Sequence, residues 1–217
     1  MYKAVIFDLD GTLLDSVGDI NFVLNDALAK FGLEKISRER TIECIGNGAR
    51  ELVRLAIGEE NAGRVDEILA YYIPLYASCD NGHTTLFAGE DEGLARLKAA
   101  GLKLAVLTNK PHAAALKAEE KFFKKYNFDV FLGQVDGVPL KPAREAVDAV
   151  LQKLGVGREE CVFVGDGEAD VKAANNAGLD CISVLWGYRT LSQLKAAGAE
   201  TFAVTFDDLV SKILKKK

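Results

Sequence analysis

Little in this 217-residue chain points to stapling, membrane spanning or disorder. Its four cysteines, Cys44, Cys79, Cys161 and Cys181, are far apart and form no Cys-x-x-Cys pair, which argues against a zinc centre or a redox couple. Cys161 and Cys181 fall in apolar, strand-like runs, where cysteine acts as a small hydrophobe. Four prolines and 20 glycines exclude a collagen-like or low-complexity chain. The two histidines, His83 and His112, stand singly, as packing or surface residues do more often than ligands. No apolar run approaches the roughly 18 residues needed to cross a bilayer. No secretory pattern precedes the first strand-like run at Lys3, so a cytoplasmic location without a membrane partner is expected.

Positive charge is not in excess either. Net charge is −5, which argues against a nucleic-acid partner. The segment 15–80 holds 12 acidic and 7 basic residues and so carries the whole excess, while the remainder balances at 20 of each. Any anion site must therefore be built from local groups. Lys215, Lys216 and Lys217 read as a solvated tail. What is present is ample apolar content, 49%, enough for a chain of this length to bury a core unaided.

Short β-like runs alternate with helical patterns, which predicts an α/β fold with a parallel sheet covered by helices. Ala4–Phe7 is continuously apolar, as a strand buried on both faces should be. Leu102–Leu107, Phe128–Leu132, Cys161–Val164, Cys181–Leu185 and Ala203-Val204 read as further strands. Helices are expected over Ala143–Leu154 and Leu209–Leu214. From Ser16 to Tyr76 only helical signals occur: Ile20, Val23, Leu24, Ala27 and Leu28, then Leu52, Val53, Leu55 and Ala56, then Ile68, Leu69 and Tyr72. A helical insert after the first strand follows.

Ligands of open parallel sheets bind beyond the carboxyl ends of the strands. The first strand is followed by Asp8-Leu9-Asp10-Gly11-Thr12 and the second by Thr108-Asn109-Lys110-Pro111. Lys141-Pro142 opens a helix, and the fourth strand leads into Gly165-Asp166-Gly167-Glu168-Ala169-Asp170. Each group alone has a plainer role: Asp-Gly forms turns, Thr108 and Asn109 can cap a helix, and Lys141 can be a solvated helix-entry residue. Together they place four carboxylates, a hydroxyl and a lysine at four strand ends, a set that suits a divalent cation and a phosphate.

Asp8-Leu9-Asp10-Gly11-Thr12 resembles the first motif of the haloacid dehalogenase superfamily without mismatch. Thr108-Asn109 is similar to the second motif, Lys141 to the third, and Gly165-Asp166 with Asp170 to the fourth, in the expected order across essentially the whole chain. The resemblance implies a Rossmann-like core with helices on both faces, residues 1–15 and 86–217, and a helical cap over 16–85 that acts as a specificity lid. It also implies a Mg2+-dependent phosphatase working through an aspartyl-phosphate intermediate. Asp8 would be the nucleophile and Asp10 the acid and base. Asp8, the carbonyl of Asp10 and Asp166 would hold the metal, and Asp170 would reach it indirectly or orient Lys141. Thr108, Asn109 and Lys141 would bind the phosphoryl oxygens. Two departures stand out: Gly167 where a serine is frequent, and Arg144 where a proline is frequent.

Ile45-Gly46-Asn47-Gly48-Ala49-Arg50 in the insert is read either as a helix–helix turn or as a ligand loop, with Gly46, Asn47 and Gly48 close to the substrate and Arg50 on a second anion. The Gly-Asn-Gly turn, Thr108-Asn109-Lys110-Pro111, and Trp186-Gly187-Tyr188-Arg189 before Ala197-Gly198-Ala199 are similar to the phosphoglycolate phosphatase branch. That resemblance implies a small phosphoester partner whose carboxylate is selected by Arg50 or by amides near Gly48. An inorganic pyrophosphatase, a broad sugar-phosphate phosphatase, a phosphosugar mutase and a non-catalytic phosphate binder remain as alternatives. Trp186 and Tyr188, which follow a strand, are expected as core or rim packing in preference to packing beside the site, and Tyr71, Tyr72 and Tyr76 are expected to form a lid helix face. Lid hinges are expected near Ser16 and Leu86–Gly89, and the protein as a monomer or homodimer.

Overall fold

A computed structural model of the chain describes residues 1–215, so Lys216 and Lys217 of the basic tail lie outside the described residues. Strand β1 (Ala4–Phe7) leads through a tight turn to the two-residue β2 (Leu14–Asp15). Four helices follow: α1 (Val17–Lys30), α2 (Arg38–Cys44), α3 (Ala49–Ile57) and α4 (Val65–Ser78). The chain returns through β3 (Thr85–Leu86) and α5 (Glu90–Ala99), then alternates β4 (Lys103–Pro111), α6 (His112–Ala118), β5 (Val130–Gln134) and α7 (Arg144–Leu154). It closes with β6 (Cys161–Gly165), α8 (Glu168–Ala177), β7 (Asp180–Val184), α9 (Leu191–Ala196), β8 (Phe202–Ala203) and α10 (Phe206–Lys215).

The six long-sheet strands lie in the order β5-β4-β1-β6-β7-β8, and every neighbouring pair is parallel. Alternation along β1 explains why both faces are covered. Val5 and Phe7 pack with Leu94 and Leu97 of α5 and with Leu209 and Val210 of α10 on one face. Ala4 and Ile6 pack with Val147 and Val150 of α7 and Ala173 of α8 on the other. Because β4 lies on one side of β1 and β6 on the other, the chain reverses direction across the sheet there, and a crevice opens at the carboxyl ends of these three strands.

Strand β4 runs four residues beyond the expected end at Leu107, and its pairing with β5 shifts register between Leu107 and Pro111. Its polar Thr108-Asn109-Lys110 tip hides the strand signal, since that tip projects past the apolar core. Helix α10 begins at Phe206, earlier than the expected Leu209, because Phe206 itself packs into the core. Helix α2 is short and polar, and periodicity does not reveal it. Its start is marked instead by Ser37, whose side chain accepts from Arg40 N.

Helices α1–α4 have their own apolar cluster, including Leu24, Leu28, Val53, Ile68 and Tyr72. The chain enters and leaves this layer through β2 and β3, which pair antiparallel with Leu14 opposite Leu86 and Asp15 opposite Thr85. The buried Asp19 of α1 closes this neck, accepting hydrogen bonds from His83 N at 3.0 Å and Thr84 Oγ1 at 2.5 Å. The other face of His83 rests on Phe22, with ring centroids 5.7 Å apart.

Glu90, fully buried at the start of α5, accepts from Phe87 N at 3.3 Å, while its Oε1 has no partner among the described residues. Burial pushes this carboxyl up to about 9. The folded chain therefore keeps a proton that the unfolded chain releases near pH ~4.3. The stability contributed by this group is complete below that value and declines as pH rises toward 9. Glu90→Gln, which keeps the Phe87 contact, should stabilise the fold by about 1–3 kcal/mol near neutral pH. Thermal unfolding should show a gain that grows from about pH 5 to about pH 8.5, and a gain independent of pH would contradict the assignment.

Candidate active site

Asp8 and Asp10 leave the carboxyl end of β1, where Asp8 N donates to Val164 O at 2.9 Å. The next turn is held by Leu13 N and Leu14 N, both donating to Leu9 O at 2.9 Å. Gly11 in this turn has φ +90°, and a Cβ there would run into the Asp166 carboxylate, so glycine is required on both counts. Thr12 then donates to Asp166 Oδ1 at 3.1 Å, tying the β1 turn to the end of β6.

Lys141 is buried, and its Nζ lies 2.7 Å from Asp8 Oδ1 and 2.7 Å from Asp170 Oδ1. The Asp170 contact is an aligned hydrogen bond. The Asp8 contact is an ion pair without that alignment, which leaves the buried Asp8 Oδ1 without a directed donor. Asp170 also accepts from Gly167 N at 2.9 Å, so the residue in place of the frequent serine contributes its backbone. Asp166 accepts from Tyr188 N at 2.7 Å.

Carboxylate oxygens of Asp8, Asp166 and Asp170 all lie within 4.8 Å of one another. With all three ionised, and Lys141 paired to Asp8 and Asp170, this cluster would carry a surplus of two negative charges. Burial, then Asp170, raise the Asp8 carboxyl well above the usual carboxylate range, and Lys141 only partly offsets them. Burial, Asp170 and Asp8 raise Asp166 in the same way. Burial works to lower Lys141, but Asp170 and Asp8 outweigh it and hold the ammonium above the ordinary lysine value. A divalent cation fits here: the donors are hard carboxylate oxygens, one of them lacks a directed donor, and the ion's charge matches the surplus.

The Asp10 carboxylate takes no part in that cluster. It accepts from Lys110 Nζ at 2.8 Å and Ser16 Oγ at 2.5 Å, facing the insert. Lys110 is 1% exposed, also donates to the Tyr76 hydroxyl of α4, and lies 4.4 Å from that ring's centroid. From the sequence neither residue has an assigned role in the site: Tyr76 is expected as part of a lid helix face, and Lys110 falls in the run after the second strand. The available signal was a lysine directly after Thr108-Asn109, at the tip of an otherwise apolar strand.

Asn109 Nδ2 donates to Lys141 O at 3.0 Å, and its Oδ1 accepts from Lys141 N at 2.9 Å, so its amide braces the Lys141 backbone. The same Nδ2 donates to Gly46 O of the insert at 2.9 Å. Thr108 Oγ1 accepts from Lys110 N at 3.2 Å. A cavity of about 50 Å³ lies between these groups and the insert, walled by Asp8, Asp10, Gly46, Gly48, Tyr72 and Lys110, among others. Asn47 lines an adjoining wider cleft.

Arg50 is not brought to the site. Its guanidinium pairs with Asp66 at 2.5 Å on the outer surface of the insert, because helix α3 buries Leu52 and Val53 and turns Arg50 outward. His112 is structural, its Nδ1 accepting from Gly133 N at 3.1 Å. Arg144 pairs with Asp148 at an exposed helix start, away from the carboxylates. The loop after β7 does more than pack. Trp186 Nε1 donates to Thr12 O at 3.0 Å, and the Tyr188 hydroxyl accepts from Ser16 N and Val17 N at 2.9 and 3.0 Å. Arg189 pairs with Glu168 at 2.9 Å and donates to Ile42 O and Ile45 O of the insert at 2.9 and 2.6 Å.

Residues 5–184 match the family model for haloacid dehalogenase-like hydrolases. The phosphoglycolate phosphatase of Chromobacterium violaceum is 34% identical over 199 residues, covering 89% of this chain and 90% of its own. Phosphoglycolate phosphatase 1 of Pseudomonas aeruginosa is 36% identical over 197 residues, covering 86% and 70%. The crystal structure of a Lactobacillus delbrueckii subsp. bulgaricus protein, itself proposed to be a phosphoglycolate phosphatase, superposes with a TM-score of 0.91 at 31% identity, covering 99% of each chain. With a family match spanning most of its length and these relatives beside it, the chain belongs to the haloacid dehalogenase-like hydrolases and is a phosphoric monoester hydrolase among them.

Proposed function

We propose that the chain hydrolyses 2-phosphoglycolate in a Mg2+-dependent reaction that passes through a phosphoryl-aspartate at Asp8. The observation that carries this reading is the unequal surroundings of two aspartates from one turn. Asp8 faces the carboxylate cluster and Lys141, whereas Asp10 faces Lys110, Ser16 and the insert. One carboxylate can attack phosphorus while the other handles a proton.

In the first step an Asp8 oxygen bonds to phosphorus as the ester P–O bond breaks, and Asp10 gives its proton to the departing alkoxide. The alcohol leaves. Water then attacks phosphorus of the acyl phosphate and Asp10 takes the water's proton, which frees inorganic phosphate and restores Asp8. Lys141, braced by Asn109 and steered by Asp170, faces the phosphoryl oxygens, as does the Thr108 hydroxyl. Asp8, Asp166 and the Asp10 carbonyl would hold Mg2+, with Asp170 behind them. When bound, the ion supplies positive charge against the developing phosphoryl charge.

Substrate size supports the assignment. The part of the site between Asp10 and the insert is small, lined by Ile20, Ile45, Leu52, Tyr72, Gly46 and Gly48, while Asp8 and Asp10 also border the wider cleft beside it. A Cβ on Gly48, at φ +87°, would meet Leu140 Cδ1 at 2.8 Å, so the loop reaches the core this closely only as glycine. Relatives of similar length are phosphoglycolate phosphatases. In this reading residues 1–15 and 86–217 form the catalytic core and 16–85 the cap, which opens about the β2–β3 neck and closes to exclude water.

A panel of phosphoesters assayed with Mg2+ or chelator should give the highest kcat/KM for 2-phosphoglycolate, with release lost on chelation. Asp8→Asn should reduce release from every ester by about a thousandfold or more, and Asp10→Asn by roughly 10²–10⁴. Release unaffected in Asp8→Asn would overturn the mechanism, and a strong preference for a bulky sugar phosphate would overturn the substrate.

Charge surplus in the cluster makes a separate prediction about stability. Mg2+ should raise the melting temperature of the wild type. Asp166→Asn should raise the metal-free melting temperature by about 2–4 °C, as about 1 kcal/mol of relieved repulsion would, and should shrink the Mg2+-induced gain. An unchanged Mg2+ response in this variant, read by scanning calorimetry, would place the ion elsewhere.

A further inference from the structure

The substrate reading calls for a cation beside the leaving oxygen. The carboxylate carbon of 2-phosphoglycolate stands two bonds from that oxygen, so its partner must adjoin the residue that protonates the oxygen. Arg50 cannot serve from the outer surface, where it pairs with Asp66. Lys141 is engaged with Asp8 and Asp170 at the phosphoryl end.

We propose that Lys110 is the specificity-determining residue of this site, its ammonium receiving the second anionic group of a short-chain phosphoester; this rests on the phosphatase reading above. Among the residues lining the small cavity, Lys110 is the one with a cationic side chain. Its Nζ stands 2.8 Å from Asp10 Oδ1, one hydrogen bond from the group that meets the leaving oxygen. Of its three N–H donors, one goes to Asp10 and one to the Tyr76 hydroxyl, and the third has no acceptor among the described residues. The Tyr76 ring, 4.4 Å from Nζ, further confines the ammonium. Since Tyr76 belongs to α4, the cation is set between core and insert, so a carboxylate binding it also binds the closed arrangement.

Chain length enters through the same geometry. An ester whose anion lies several bonds further from phosphorus would carry it past Lys110 into the apolar wall of Ile20, Leu52 and Tyr72. One with no anion would leave the ammonium with its present partners. Selection therefore falls on a charged group at short reach.

The test compares 2-phosphoglycolate with ethyl phosphate, which has the same heavy-atom skeleton up to the carboxylate. Wild type should favour 2-phosphoglycolate in kcat/KM. Lys110→Met should reduce both rates, because Asp10 loses a neighbour, but should narrow the preference about ten- to a hundredfold, the value of a charge-assisted contact. Lys110→Arg should retain part of the preference, and Tyr76→Phe, which keeps the ring, should narrow it a few-fold. An equal loss on both esters in Lys110→Met, with the preference unchanged in Tyr76→Phe, would overturn the role of Lys110 alone. A wild type without preference between the two esters would overturn the substrate reading itself. Should Lys110→Met not fold, the ratios for Lys110→Arg and Tyr76→Phe decide.

Discussion

The Lys141 ammonium lies 2.7 Å from Asp8 and from Asp170, and the rest of the site is arranged around the charge it leaves uncompensated. Removing carboxylates from water costs several kcal/mol each unless cations or donors meet them. Here one lysine pairs with two of three clustered carboxylates, Asp8 and Asp170. The remaining support comes from the Thr12 hydroxyl and from backbone N–H groups of Tyr188 and Gly167. That is poor economy for a folded chain and good preparation for a divalent ion and a phosphoryl group. Clusters of this kind concentrate at functional sites for that reason.

A second cation, Lys110, pairs with Asp10 as Lys141 pairs with Asp8. Asp10 still adds to the repulsion at Asp8, but its own carboxylate is met by Lys110 and Ser16 on the insert side. The same neighbourhood ties the two layers together. Asn109 joins Lys141 to Gly46, Arg189 joins Glu168 to the end of α2, and Lys110 joins Asp10 to Tyr76. These three contacts to the insert start from residues adjoining the carboxylate cluster, while Lys117 and Lys121 hold the far end of α4 through Ser78 O, Asp80 O and Asn81 O. In the proposed reading, closing the cap helps to complete the site, and excluding water there lowers the local dielectric in which charges act.

Much of this was legible from residue pattern alone. Apolar runs located all six strands of the main sheet, since a strand buried on both faces must be continuously apolar, and the polar residues directly after them marked the crevice. Asp8, Asp10, Lys141, Asp166 and Asp170 could be found because each follows a strand or opens a helix. What escaped was set by tertiary packing. Arg50 looked poised for an anion until the amphipathic face of α3 turned it toward Asp66. Lys110 and Tyr76 are 34 positions apart and meet only through the docking of α4 on the tip of β4. Arg189 appeared as one member of a loop, because its acceptors are backbone carbonyls, to which side-chain pattern is blind. The β2–β3 neck, two residues a side, is too short for alternation to register.

The division of labour between Asp8 and Asp10 is tested most directly by rapid acid quench during turnover of 2-phosphoglycolate, followed by mass spectrometry of the peptide that carries both residues. The account predicts a phosphoryl group on Asp8, formed on the timescale of turnover and absent in Asp8→Asn. A phosphoryl group on Asp10, or turnover at full rate with neither residue labelled, would contradict it.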